Sequence, residues 1–127
     1  MQSLALVTLL VRDYDAAIAW YRDVLGFALI EDTAQAPSRR WVRVGPPGGG
    51  TAFLLAHADT PEQVARIGSQ TGGRVGFFLV TDDFDRDHAA MAARGVRFLE
   101  APRREAYGSV AVFEDLYGNR FDLIQPA

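Results

Sequence analysis

The 127-residue sequence predicts an α+β fold: two tandem βαβββ modules that form curved mixed sheets around a concave pocket. Three observations carry the prediction. First, the second half repeats the first at an offset of 69 residues, with Leu10-Val11-Arg12-Asp13 over Leu79-Val80-Thr81-Asp82 and Gly26, Glu31, Gly49 and Leu54 over Gly95, Glu100, Gly118 and Leu123. Second, each half sets a short apolar run beside a segment of helical period. Third, glycine, proline and aspartate stand where strands end and helices start or stop. The modules are expected at 1–58 and 74–127, with a helical linker at 59–73. One helix cannot cover both faces of a four-stranded sheet, so the modules must pair, and the concave side is a natural pocket.

Residues 4–11 form a continuous apolar run around Thr8 and read as a strand covered on both faces. Asp13 or Asp15 offers a carboxylate to cap the next helix. Ile18, Tyr21 and Leu25 follow at helical spacing, and Gly26 supplies the left-handed stop. Residues 27–31 read as a second strand, 33–38 as a polar loop, 41–44 as a third strand, 46–50 as a Pro/Gly turn and 51–56 as a fourth strand. Thr60-Pro61-Glu62-Gln63 has the capping-box pattern with proline at the first helical position, so a short helix runs to Ile67. The second module repeats the order. It has a strand at 75–80, a helix capped by Asp82 or Asp83 and stopped by Gly95, and strands at 96–100, 109–114 and 120–125. Residues 103–108 read as a loop, and 115–119 as a turn suited to positive φ.

Composition narrows the function classes. The chain is 49% hydrophobic, enough for a compact core, and its net charge of −3 offers no basic patch for nucleic acid. No apolar run is long enough to span a bilayer, and no signal peptide is recognised, so a cytoplasmic location is expected. Cysteine is absent, which removes disulfides, thiolate metal ligands and cysteine nucleophiles together. The serines have no histidine and acid at triad spacing. The glycine-rich segment at 46–50 joins two strands and lacks the lysine of a phosphate loop.

Val11-Arg12-Asp13 through Trp20-Tyr21-Arg22-Asp23-Val24-Leu25-Gly26-Phe27 resembles the "V-x-D…A-x-x-F-Y-x-x-V-L-G-F" motif of the vicinal oxygen chelate superfamily. That superfamily includes glyoxalase I, bleomycin-resistance proteins, extradiol dioxygenases and fosfomycin-resistance enzymes. Phe113-Glu114-Asp115-Leu116-Tyr117-Gly118-Asn119-Arg120-Phe121-Asp122-Leu123 is similar to its "F-x-D-P-x-G-N-x-x-E-L". The resemblance covers nearly the whole chain and implies the βαβββ fold and a homodimer, with the pocket formed by modules of one chain or of two. It does not choose among the chemistries the fold hosts.

The resemblance also implies where a metal would be held. The family's ligand positions fall on Leu6, Phe53, Val75 and Asp122. Three of these are apolar, and one carboxylate does not supply the three or four N or O donors that a divalent ion needs. No metal and no other cofactor is therefore expected. Asp122, flanked by Phe121 and Leu123, is expected on the concave side as a partly desolvated carboxyl fit for acid–base work. Trp41 and Arg43 alternate on one strand face, giving a stacking plate and a cation if that face is concave. Tyr107 offers a phenol, and Arg103 or Arg104 an anion contact, beside a charged-surface reading of the same loop. His57 and His88 read as structural or solvated.

The first expectation is a metal-independent binding protein for an aromatic or amphiphilic small molecule, its pocket lined by Thr8, Trp41, Phe53, Leu55, Phe77, Leu79 and Asp122. The alternative is a metal-independent isomerase or lyase using Asp122, helped by Arg43 or Tyr107. A metal-dependent lactoylglutathione lyase or ring-cleaving dioxygenase requires a different ligand register. Untagged protein dialysed against Mn²⁺, Fe²⁺, Ni²⁺ or Zn²⁺ is expected to retain less than roughly one-tenth of an ion per chain by plasma mass spectrometry; a stoichiometric ion would refute the apolar ligand set.

Overall fold

A computed structural model describes residues 1–127, which form two compact units, Met1–Ile67 and Gly68–Ala127. In the first unit β1 (Leu6–Val11), β2 (Ala28–Ala36), β3 (Arg39–Gly45) and β4 (Ala52–His57) make a sheet of order β1-β4-β3-β2. β1 runs parallel to β4, and the other pairs are antiparallel. In the second unit β5 (Val75–Val80), β6 (Arg97–Phe98), β7 (Arg103–Glu105), β8 (Gly108–Glu114) and β9 (Arg120–Pro126) give the order β5-β9-β8-β6, with β7 also pairing β8. The fold is α+β, with the βαβββ order in both units and one added short strand in the second.

Helix α1 (Tyr14–Ala19) continues into a π-helical segment, Trp20–Leu25. Asp13 is its cap, accepting from the Asp15 N–H at 3.0 Å. Tyr14, Ala17, Ile18, Tyr21 and Leu25 are its buried stripe. Gly26 stops it at φ 90°, where a side chain would strain, and the Phe27 N–H returns to the Tyr21 carbonyl. Helix α3 (Phe84–Ala93) is capped by Asp83 rather than Asp82, accepting from the Arg86 N–H. Helix α2 (Pro61–Arg66) lies within the first unit, and Thr60 accepts from the Gln63 N–H as the capping box requires. The reciprocal bond differs: the Gln63 side chain reaches the Asp59 N–H.

The repeat is not gapless. From cap to glycine stop there are thirteen residues in the first unit (Asp13 to Gly26) and twelve in the second (Asp83 to Gly95). The wide π turn absorbs the extra one. From Val44 to its partner Phe53 there are nine residues, against eight from Phe113 to its partner Phe121, so the first hairpin loop is also one longer. The offset is therefore 70 before the helix, 69 through the third strand and 68 in the last strand.

Three expected boundaries change. Residues 33–38 do not form a loop: β2 extends to Ala36 and pairs with β3 across a two-residue turn. Solvent bathes this hairpin end, so its polar sequence carries no burial pattern; cross-strand pairs, Arg40–Asp32 at 2.7 Å and Arg43–Glu31 at 2.9 Å, hold it instead. The stretch at 103–108 is not wholly a loop, because Arg103–Glu105 pairs with β8. The strand expected at 96–100 shrinks to Arg97–Phe98, followed by one further bond from the Leu99 N–H to the Val112 carbonyl.

The turn from β8 to β9 is held by Asp115, which is buried and accepts from the N–H groups of Tyr117 and Asn119 and from the Asn119 side-chain amide. Asp115→Ala leaves two backbone donors without this acceptor. It is expected to destabilise the chain by about 2–3 kcal/mol in urea unfolding; a loss below about 0.5 kcal/mol would mean that the turn forms without it.

Candidate functional site

Each sheet turns one face to its helix and leaves the other open. In the first unit the helix-facing set is Val7, Leu9, Val11, Val42, Val44, Phe53 and Leu55, in register across the ladder. Tyr21 packs its ring edge-on to Phe53, centroids 5.8 Å apart. The opposite face carries Leu6, Thr8, Leu10, Trp41, Arg43, Leu54 and Ala56. In the second unit an aromatic chain runs from Phe84 through His88, Phe98 and Phe113 to Phe121, and the Phe77 ring meets its end at a tilt. The open face there carries Phe78, Val80, Val112, Asp122 and Ile124.

This parity corrects three sequence expectations. Phe53 is a core residue, 8% exposed, whereas Leu55, 1% exposed and on the helix-facing side, still borders the first unit's cavity. Phe77 and Leu79 share the helix-facing side with Phe121 and Leu123. The residues presented to the open faces are their neighbours Leu54 and Ala56 in one unit, Phe78 and Val80 in the other. Periodicity did not separate the two sets because both are apolar. Thr8, Trp41, Arg43 and Asp122 do lie on open faces.

A cavity of about 320 Å³ opens on the first unit, lined by Thr8, Leu10, Trp41, Leu54, Leu55 and Ala56 and by the polar side chains of Tyr14, Gln35, Arg39, Arg40, His57, Asp59 and Gln63. Its charges are already partnered. Arg40 holds Asp32 and also Asp15 at 2.9 Å, and its guanidinium keeps the Asp32 carboxyl below the usual range. Arg43 pairs with Glu31. Asp59 accepts from His57 Nδ1 at 3.0 Å and lies 3.6 Å from Arg39. The cavity is thus an aromatic and aliphatic floor within a neutralised polar rim.

Asp122 sits on β9 between Phe78 and Val112 in the ladder. Its Oδ1 is buried and no donor reaches it. Burial pushes its carboxyl above the ordinary carboxylate range, nearby Arg103 pulls it down, and Glu100 adds to the rise. Arg103 is occupied by Glu100 at 2.7 Å and Glu105 at 3.0 Å, and its Nη1 lies 3.5 Å from the Tyr107 hydroxyl. Tyr107 is exposed in the β7–β8 turn. Arg104 points the other way, over the Phe84 ring and onto Asp85, so only Arg103 of the pair belongs to the Asp122 side.

A divalent metal ion does not fit these residues. The strand register makes Leu54 the counterpart of Asp122, correcting Phe53, and leucine donates nothing. Nowhere do three His, Asp or Glu side chains converge as a ligand set.

Two βαβββ sheets, each with one helix-covered and one open face, define a recognisable class. Residues 3–123 match the family model of the Glyoxalase/Bleomycin resistance protein/Dioxygenase superfamily, and the chain belongs to that superfamily. It is 54% identical over 126 residues to an uncharacterized protein of Shewanella frigidimarina, covering 98% of this chain and 93% of the relative. Among solved structures it is similar to TnmS3, an antibiotic binding protein from Streptomyces sp. CB03234, at 31% identity and TM-score 0.82, covering 100% of this chain and 98% of that one. A glyoxalase/bleomycin resistance protein from the same strain gives 33% identity and TM-score 0.78, covering 97% and 100%. No helix is long and apolar enough to cross a membrane.

Because its folded pKa is raised, Asp122 favours folding fully only below the ordinary carboxylate pKa, and that contribution is lost as pH rises through the raised value. Asp122→Asn is therefore expected to raise Tm at pH 7 by about 2–4 °C, with the gain shrinking as pH falls through the raised value towards the ordinary carboxylate range. A gain independent of pH in scanning calorimetry would contradict this origin.

Proposed function

We propose that this protein binds a planar, largely apolar small molecule on the open face of its first sheet, and holds it without a metal ion. The observation that carries the reading is the cavity of about 320 Å³ with Trp41 as its aromatic wall and Thr8, Leu10, Leu54 and Ala56 as its floor. That volume is within the range of small-molecule pockets, roughly 300–1,000 Å³, and its mixed apolar and polar lining suits an amphiphilic ligand with a planar apolar part. The likeness to a protein described as antibiotic binding supports an antibiotic-like aromatic or amphiphilic ligand. We further read the chain as a cytoplasmic homodimer; sedimentation distinguishes one chain from two.

A second reading, a metal-independent isomerase or lyase, is supported by one observation, the raised carboxyl of Asp122. Tyr107 lies within reach of Arg103, whose charge also acts on Asp122, and the sequence-expected helper Arg43 is already paired with Glu31. The readings separate on Asp122→Asn, which would abolish turnover in the enzyme but leave binding in the first cavity within about tenfold. A lactoylglutathione lyase or ring-cleaving dioxygenase gets no support from the donor set.

The cavity reading is tested with 8-anilinonaphthalene-1-sulfonate and with 1-naphthol, a planar neutral aromatic, by isothermal titration calorimetry, a readout that does not depend on Trp41. Trp41→Ala is expected to weaken binding by about 10–30-fold, the loss of an aromatic stacking surface with its buried area. Unchanged affinity in Trp41→Ala, or no saturable binding of either probe, would reject it.

A further inference from the structure

The polar end of the first-unit cavity holds a histidine whose two ring nitrogens are used differently. His57 ends β4 opposite Val11, in step with Phe53 and Leu55. Its ring therefore stands on the helix side at the end of the sheet, not on the open face, and it lines the cavity there. Tyr14, at the start of α1, packs against that ring with centroids 6.0 Å apart. Asp59 Oδ1 lies 3.0 Å from Nδ1. Asp59 is itself fixed: its N–H donates to the Gln63 side chain at 2.8 Å, and its Oδ2 lies 3.6 Å from Arg39. The ring is thus positioned by α1 and by a carboxylate tied to α2 and β3, a degree of order that a freely solvated histidine does not have.

A carboxylate only accepts, so the bond to Asp59 puts a proton on Nδ1. In the neutral ring that tautomer leaves Nε2 as a bare acceptor, and no group of the chain bonds Nε2. The surrounding charges decide which donor suits it. Arg39 faces Asp59, and Arg40 holds Asp15 and Asp32. An anion or an ammonium would have to break one of these pairs to be matched, whereas a neutral donor leaves them intact. Trp41 and the aliphatic side chains beside it suit a flat ring. A flat ring that carries a neutral donor is, in its simplest form, a phenol.

We infer that His57, oriented by Asp59, selects a phenolic aromatic ligand, its Nε2 accepting the ligand O–H while the ring system lies on Trp41. This rests on the cavity reading above and names the ligand class for it. Asp59 acts through His57 and is a positioning residue.

The experiment compares 1-naphthol with 1-methoxynaphthalene, which has the same rings but no O–H, by calorimetry with the full chain at pH 8. Wild-type protein is expected to bind the phenol about three- to tenfold more tightly than the ether, the worth of one neutral hydrogen bond. His57→Phe should bring the two affinities within about twofold while both still bind. Asp59→Ala should reduce the preference, because Nδ1 is then free to lose its proton to Nε2. Ring ¹⁵N–¹H spectra of His57 should place the proton on Nδ1 in the wild type, move it towards Nε2 in Asp59→Ala, and shift Nε2 when 1-naphthol is added. Amide spectra of each variant establish that the fold is intact. Equal affinities in the wild type, a preference that survives His57→Phe, or a proton found on wild-type Nε2 would each overturn the inference and leave the cavity reading standing. Absence of saturable binding by both probes, or indifference of both to Trp41→Ala, would overturn the cavity reading and this inference with it.

Discussion

Tyr21 meets Phe53 ring edge to ring face, and in the second unit Phe113 stacks on Phe121 beneath the Phe98 and His88 rings. These contacts fix which side of each sheet its helix covers. Because strand side chains alternate strictly, fixing one residue fixes all the others. Once Phe53 faces the helix, Leu54 cannot; once Phe121 does, Asp122 must stand on the other side. The composition of each open face is thus set by aromatic packing on the opposite one. A substitution within either aromatic cluster would be felt across the sheet, where it touches no ligand.

The same alternation explains how far the sequence could be read. Strand and helix identities were legible because apolar runs, caps and glycine stops are local signals: Asp13, Gly26, Thr60, Gly95 and the turn around Gly118 all serve as the sequence indicates. Facing was not legible. An offset of 69 is the mean of 70, 69 and 68, and a slip of one residue in a strand moves a side chain to the opposite face. A uniform offset thus matches Phe53 to Asp122 where Leu54 belongs, and puts Phe77 and Leu79 where Phe78 and Val80 stand. The extra residues that cause the slip lie in a π turn and a Pro/Gly loop, neither of which disturbs the hydrophobic pattern. The polar half of β2 was illegible for another reason: a hairpin end solvated on both sides has no buried face to produce a period.

The two units share a frame but not a surface chemistry. In the first, every arginine around the cavity has a carboxylate partner, and the Trp41 indole and aliphatic side chains stand among these neutralised pairs. In the second, the acidic groups outnumber the cation near Asp122. Repetition conserves what the backbone needs, namely the cap, the stop and the turn, and leaves the outward-facing positions free to diverge. Duplication of one structural unit can in this way yield two dissimilar open faces without a change of fold.

The hairpin of β2 and β3 has a consequence of a different kind. β2 lies at the end of its sheet, and its nine residues present a row of backbone groups that a strand from another molecule could extend. Across the β2–β3 pair runs the ladder of Glu31 and Asp32 with Arg40 and Arg43, Arg40 also being tied to Asp15 beside the helix cap. An incoming strand would have to desolvate those charges, and two register shifts in the β2–β3 pairing break the regular edge such a strand would need. Charge and irregularity together act as a gatekeeper against runaway intermolecular sheet growth.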